Sequence, residues 1–423
     1  MFDILIITAS SEAYAAFWRK RLASTPHTIP VVEDWPGGAG NGLGTLYAYK
    51  LAREKGKELY GIDIAEEQKK GASLAIYHTA GKGMRLYPLA AAEKGNKSAI
   101  RLPAPGAPTL LEAVIRQTAS YAPYRKGRLS VFWSDQLFSP AKGYRQELQS
   151  AVDILCMPLR NQKELSRYGL IGVDGKGEGR LFEKLSDEKR KNLKQKEGER
   201  FFISLGSFSL SFPMTKALLE EFSEELREKR GQLGSDLHFW MPLTLDKETF
   251  CSLVDAPDHY DRMQTFKKRF HGSLLFTASD SGEGSFWWDF GTVQHFFENN
   301  RKLLSSSEEG AALRRLYGIE EPGGSLLIDS DIGEAEIENS ILVGVRAGRA
   351  AVKNSLLIDI AAESVEADAA LAYHVRDEQL RLGPEQVRAD VDGTPFYTEL
   401  SRCGKEDWKR KLPGNPCSYS ALD

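Results

Sequence analysis

Short apolar runs separated by glycine-rich turns and amphipathic stretches recur through most of the chain, a pattern that predicts strands alternating with helices. Residues 4–8 form the first strand. Ser10 or Ser11 then caps a helix that buries Tyr14, Phe17, Trp18 and Leu22. Residues 74–77 are a continuous apolar run of the kind a parallel sheet buries. A helix over 109–119 opens on Thr109, with Glu112 at the capping-box position, and a strand over 129–138 carries Asp135 towards its end. Residues 168–174 and 180–185 pair as a hairpin about the glycine-rich turn at 175–179. Further strands are predicted at 201–210, interrupted at Gly206, and at 272–277, with a helix over 215–229 between them. The aromatic strand from Phe286 ends in Asp289, and a Gly291-Thr292 turn opens a helix. Such alternation predicts an α/β fold with a doubly wound, mostly parallel sheet.

The pattern changes beyond Pro322. Ser325-Leu-Leu-Ile, Ser340-Ile-Leu-Val and Ser355-Leu-Leu-Ile recur at fifteen-residue spacing, with Asn339 and Asn354 in step and a weaker copy at Ala370-Leu-Ala-Tyr373. β-Branched Val343, Ile358 and Ile360 and a period that does not divide into heptads argue against a helix, so the repeat predicts a β-solenoid (β-helix) whose rungs bury one another. Leu327, Leu342 and Leu357 are expected to line one apolar column, and self-association through the solenoid is the expected mode of any homo-oligomer. The division is therefore a catalytic-type domain at 1–318 and a solenoid with a C-terminal extension at 319–423. Residues beyond about 376 show no readable pattern.

A chain of 423 residues exceeds what one core usually holds, and a net charge of −3 supplies no basic field for nucleic acid. Any anion site must be local. Cys156, Cys251, Cys403 and Cys417 have neither zinc nor disulfide-framework spacing. The N-terminal stretch has no basic flank and too short an apolar run for a signal peptide or membrane span, so the expectation is a cytoplasmic protein without a membrane partner.

Candidate chemistry centres on the turn after residues 74–77. Gly81 and Gly83 clear the approach to backbone N–H groups, and Lys82 and Arg85 add cations, a combination that favours a polyphosphate. An ordinary strand-to-loop turn with a solvated Lys and Arg explains the same residues. No Walker A loop is present, and Leu86 stands where a dinucleotide fingerprint needs its third glycine. A second glycine-rich loop, residues 36–46 with Asn41 and Gly42, offers either a helix N-terminus for a phosphate or base, or a flexible connection. Asp135, at the end of an apolar strand beside a glycine-rich turn, suits a magnesium ligand; a turn or helix cap is the other reading.

The run Ala80-Gly-Lys-Gly-Met-Arg-Leu-Tyr-Pro-Leu89, with Lys97 beyond it, resembles the signature of sugar-1-phosphate nucleotidylyltransferases. Asp3-Ile-Leu-Ile-Ile-Thr-Ala9, Gly40-Asn-Gly-Leu-Gly-Thr-Leu46 and the solenoid make the resemblance most like the fucose-1-phosphate guanylyltransferases, or GDP-fucose pyrophosphorylases. The resemblance implies a Rossmann-like nucleotidyltransferase domain that joins a nucleoside triphosphate to a sugar 1-phosphate with Mg²⁺. It implies that Ala80, Gly81, Lys82, Gly83, Asn41 and Gly42 hold the nucleotide and that Arg85 and Lys97 take phosphate charge. Gly169, Glu183, Lys184 and Gly206 are placed on the sugar, and Asp135 and Asp289 on the metal, Asp289 through Asp289-Phe-Gly-Thr292. The chain departs from the family pattern at Ala80 and at Leu185, where proline is usual. The alternative is a catalytically idle nucleotide-sugar-binding or regulatory subunit acting through its solenoid. An acyltransferase with a solenoid is a further rival, disfavoured because such solenoids usually carry many more rungs and a catalytic His, whereas His374 lies only at the last, weak copy.

Overall fold

The computed structural model describes residues 1–81, 83–145, 150–159, 168–182, 198–320, 323–402 and 404–422. Compactness groups them otherwise than at 318/319: one unit comprises 1–78, 119–133 and 140–285, the other 79–118, 134–139 and 286–423.

The first unit is built on a mixed sheet of strands β1 (Ile4–Ala9), β2 (Thr28–Val32), β3 (Leu74–His78) and β4 (Arg128–Trp133), together with β6 (Val152–Pro158), β7 (Leu170–Val173), β8 (Gly179–Phe182), β9 (Arg200–Ser211) and β10 (Phe276–Asp280). Its order is β10-β6-β9-β4-β3-β1-β2, with β7 also on β9 and β8 on β7. Strands β2, β1, β3 and β4 are mutually parallel, as are β6 and β10, while β9 runs antiparallel to both groups. Every residue of β1 and β3 is buried, which explains their unbroken apolar sequences. Ser11 caps the helix α1 (Glu12–Arg21) by accepting the Tyr14 N–H, and Trp18 is buried beneath it while Phe17 is exposed. Arg128 ties the antiparallel strand in place, bonding Ser209 Oγ at 2.9 Å and the Ser150 and Ser209 carbonyls at 2.9 and 3.1 Å. Burial pushes the neighbouring Asp153 carboxyl up to about 6.

Several predicted elements shift. The strand expected at 129–138 breaks after Trp133, leaving Asp135 in the turn before β5 (Gln136–Ser139). The strand expected at 272–277 lies at β10 instead, and the helix expected at 215–229 is two helices, Phe212–Glu221 and Ser223–Glu228. The charge-rich stretch after Arg53 continues a long helix, α2 (Gly40–Tyr60), which a left-handed Gly61 ends.

In the second unit, β5 pairs antiparallel with β11 (Phe286–Asp289), and the helix α3 (Leu110–Thr118) carries the predicted reciprocal capping box between Thr109 and Glu112. The C-terminal sheet holds β12 (Leu326–Ile328), β13 (Asp331–Glu338), β14 (Ile341–Val343), β15 (Arg346–Lys353), β16 (Leu356–Asp368), β17 (Leu371–Arg376), β18 (Gln379–Leu382), β19 (Gln386–Val391) and β20 (Thr394–Glu399). The pairing is parallel with partners fifteen residues apart, Leu327 on Leu342, Leu342 on Leu357 and Leu357 on Ala372. Two corners set that spacing. Asp329, Gly344, Asp359 and His374 all have positive φ at one, and Asn339, Asn354 and Ala369 at the other. Ser325, Ser340 and Ser355 each accept the backbone N–H fifteen residues on, at 3.2, 3.1 and 3.1 Å. The antiparallel β19–β20 pair beyond the readable repeat closes the sheet.

The predicted leucine column forms, but its first member is an end: Leu327 is 49 % exposed, while Leu342 and Leu357 are fully buried. Leu357→Ala should therefore destabilise this sheet by about 2–5 kcal/mol, and Leu327→Ala by no more than about 0.5 kcal/mol. Urea unfolding of each variant checks the contrast.

Candidate active site

The two-stranded ribbon explains how carboxylates far apart in sequence meet. Asp135 immediately precedes β5, Asp289 is the last residue of β11, and Asp289 pairs with Gln136. Both side chains therefore leave the same end of the ribbon, and the Phe290 N–H locks it by donating to the Asp135 carbonyl at 2.8 Å. Asn299 donates to the Asp289 carbonyl at 2.8 Å, and the Gly291 N–H donates to Asp289 Oδ1 at 2.8 Å. The predicted Gly291-Thr292 turn opens a helix, and Thr292 is its cap, accepting the His295 N–H.

Gly291 marks the centre. A methyl group placed on it would lie 2.9 Å from Asp289 Oδ1, 3.4 Å from Arg85 Nη2 and 3.6 Å from Asp135 Oδ2. Two acidic oxygens and a guanidinium thus surround a space that only glycine leaves open. Lys97 Nζ lies 2.7 Å from Asp135 Oδ2, with 18 % and 15 % of the two side chains exposed. Burial opposes ionisation of Asp135, but Lys97 outweighs it and holds the carboxyl below its ordinary range. Among the described residues Asp289 has no such lysine: burial first, then the Asp135 charge, pushes its carboxyl up. His295 Nδ1 stands 4.0 Å from Asp289 Oδ2.

The glycine turn belongs to the same unit. Gly83 has φ +59°, and a methyl group there would come within 2.8 Å of Lys97 Cβ, so the turn and the base of the lysine side chain are in contact. Gly81 and Arg85 are exposed, and Ala80 leads into the turn; Lys82 lies outside the described residues.

The remaining predicted residues lie in the first unit. Asn41 and Gly42 are inside the first turn of α2, not in a loop before it. Asn41 Oδ1 accepts the Ser235 N–H at 2.8 Å, and the Gly42 and Leu43 N–H groups donate to the Leu233 carbonyl at 2.9 and 3.3 Å. Donors that the sequence offers to a phosphate are used in packing. The Gly169 carbonyl accepts the Ser204 N–H at 2.9 Å, and Gly206 has φ +71°, with Trp133 Nε1 3.0 Å from where a methyl would stand. Glu183 and Lys184 lie outside the described residues.

The structure adds a polar cluster that the sequence reading left out. His374 Nε2 lies 2.9 Å from Glu93 Oε1 and its Nδ1 2.5 Å from Asp359 Oδ2, a carboxylate that also meets Arg376 through its other oxygen. A histidine bonded through both ring nitrogens to two carboxylates at a left-handed corner ties the C-terminal sheet to the segment carrying Glu93. The one available signal is that His374 continues the corner series of Asp329, Gly344 and Asp359 with a ring where small residues stand.

No group of three or more His, Cys, Asp or Glu residues that would hold a metal occurs among the described residues. Two carboxylates are nevertheless a fitting donor set for a hard divalent cation that shares its remaining sites with phosphates and water. No helix among the described residues is long and apolar enough to cross a membrane.

No family model and no curated protein matches the chain in sequence. Among solved structures it is similar to a mannose-1-phosphate geranyltransferase from Thermus thermophilus, at 14 % identity over 78 % of this chain and 95 % of that one, with a TM-score of 0.33. It is also similar to HddC from Yersinia pseudotuberculosis, at 11 % identity over 71 % of this chain and 78 % of that one, with a TM-score of 0.30. Overlaps of this size decide nothing about activity, which rests on the site itself.

Burial works against a charged His374, but Asp359 and Glu93 outweigh it and raise the ring's pKa. A raised histidine contributes stability at pH below its unfolded value, and that contribution is lost as pH rises through the folded value. The difference in thermal midpoint between the parent and His374→Gln should accordingly shrink from pH 6 to pH 9; a pH-independent difference would contradict the charged clamp.

Proposed function

We propose that this chain is a sugar-1-phosphate nucleotidylyltransferase, joining a nucleoside triphosphate to a sugar 1-phosphate with release of pyrophosphate. The observation that carries the reading is the convergence of Arg85, Asp135 and Asp289 on the space at Gly291, with Lys97 paired to Asp135. Such a site needs no protein nucleophile. The sugar phosphate is already an anion at neutral pH, and the task is to overcome repulsion between two anions while aligning them. Arg85 accepts charge on the β and γ phosphates, and Lys97 supports it once the triphosphate competes for its ammonium. The turn at 80–83 is the proposed triphosphate cradle, by family resemblance. Asp135 and Asp289 would hold Mg²⁺, which when bound supplies electrophilic stabilisation to the phosphates. Gly169, Gly206, Glu183 and Lys184 are the proposed sugar contacts, by family resemblance. Asn41 and Gly42 support the nucleotide through the 233–235 segment that they fix.

GTP and fucose 1-phosphate are the proposed pair, giving GDP-fucose; this finer reading rests on the N-terminal and glycine-loop motifs quoted above. The parallel fifteen-residue stack supports reading the C-terminal sheet as a solenoid. The cytoplasm is the proposed compartment.

Pyrophosphate release measured across four nucleoside triphosphates and a panel of sugar 1-phosphates tests the reading. Transfer is expected only with a divalent cation present. Nucleotide-sugar binding with no transfer for any pair would favour the regulatory subunit instead. Asp135→Asn and Asp289→Asn should each lower turnover by about 100-fold or more, the scale of losing a main electrostatic stabiliser, with the far-ultraviolet circular dichroism unchanged. Arg85→Ala should weaken triphosphate binding in calorimetry and slow turnover while sparing sugar phosphate affinity; an unchanged rate would return Arg85 to a solvated surface cation.

A further inference from the structure

We infer that the Tyr373 hydroxyl is a positioning group that closes residues 93–101 into a fixed loop and thereby holds Lys97 on Asp135. The inference rests on the role proposed for Lys97. Tyr373 is fully buried, and its hydroxyl accepts the Arg101 N–H at 2.9 Å and donates to Glu93 Oε1 at 2.5 Å. Its two partners are the two ends of the stretch that has Lys97 at its middle. A single oxygen with one proton to give and lone pairs to accept thus ties both ends at once.

The stretch needs such a tie. Lys94 and Gly95 both have positive φ, and a short 3₁₀ turn, Lys97–Ala99, carries the lysine. His374 makes a second bond to the same Glu93 oxygen at 2.9 Å, and the Arg101 guanidinium lies 3.8 Å from Asp359. Beside the lysine, Ser98 Oγ lies 2.6 Å from Ser134 Oγ, so the far side of the loop is tied to the residue before Asp135. Held at both ends, Lys97 presents its ammonium to Asp135 without first losing the freedom of a loose loop, which is how a fixed scaffold lowers the cost of a charged contact.

Sequence position supports a specific purpose for the hydroxyl. In the parallel register Tyr373 continues the series Ile328, Val343 and Ile358, each an aliphatic residue. Only the last member carries a polar group, and only it reaches the 93–101 loop with a hydrogen bond among the described residues.

Tyr373→Phe keeps the ring and removes the tie. Lys97 acylation by an amine-reactive acetylating reagent, read by mass spectrometry against the exposed Lys57 in the same digest, is expected to rise at least threefold, and kcat to fall at least tenfold with KM for the sugar phosphate little changed. Asp135→Asn calibrates the labelling of a Lys97 that has lost its ion pair. Glu93→Ala, which removes the acceptor itself, should give the same labelling increase if the phenylalanine variant fails to fold. Unchanged Lys97 labelling in either folded variant would overturn the inference, even if thermal stability fell. The labelling arm reads the clasp whether or not the protein transfers nucleotides, so the two proposals fail separately.

Discussion

Two carboxylates brought together at low exposure repel, and the second compact unit is arranged to hold them there. The β5–β11 ribbon brings Asp135 and Asp289 out at one end, and Gly291 keeps the space before them clear. Lys97 neutralises one charge by direct contact, which leaves Asp289 as the acid that resists ionisation. Under the proposed function, a positive charge entering beside Asp289 would relieve repulsion that Lys97 does not. Moving Lys97 would leave two closely placed, partly buried acids without that close counter-ion, so everything that fixes the lysine also fixes the electrostatics of the site.

The C-terminal sheet is part of that fixation. Its rungs are spaced by backbone geometry, since left-handed corners recur at fifteen residues on both sides, and by serine hydroxyls that hand a hydrogen bond from each rung to the next. Asn, Asp and Gly tolerate that corner conformation at little cost. The stack is therefore rigid enough for one of its side chains, Tyr373, to act on a loop elsewhere in the unit. Cutting the chain before the repeat would remove both that hydroxyl and His374, and with them the contacts that tie the 93–101 loop to the sheet.

Much of this was legible in the sequence, for identifiable reasons. Strands β1 and β3 read clearly because burial on both faces leaves nearly unbroken apolar runs, and the cap at Thr109 reads clearly because Glu112 stands three residues on; Ser11 is one of two candidates, and Thr292 reads only as a turn. The fifteen-residue repeat read clearly because each rung reuses the same corners. Legibility failed where tertiary contacts decide. The helix start at Gly40 is hidden by glycines that helices disfavour, and it persists because a methyl on Gly42 would press on the Leu233 carbonyl at 2.9 Å and on Phe239 at 3.0 Å. The split of α/β strand from ribbon at Ser134–Asp135 is invisible in an apolar run that continues on either side. The Tyr373 clasp joins residues too far apart for any local pattern to show.

The open end of the C-terminal sheet shows the same electrostatic reasoning applied to association. Among the described residues β13 pairs on one side only, and it carries Asp331, Glu334, Glu336 and Glu338. The next row opposes three of them with Arg346, Arg349 and Lys353, and in the third row Asp368 faces Lys353. Within the stack the alternation is attractive, as in the contact between Lys353 and Glu338 at 3.3 Å. At the edge the terminal row is left acidic. A second copy approaching edge to edge would place these carboxylates against their own counterparts, and like charges on facing strands are destabilising.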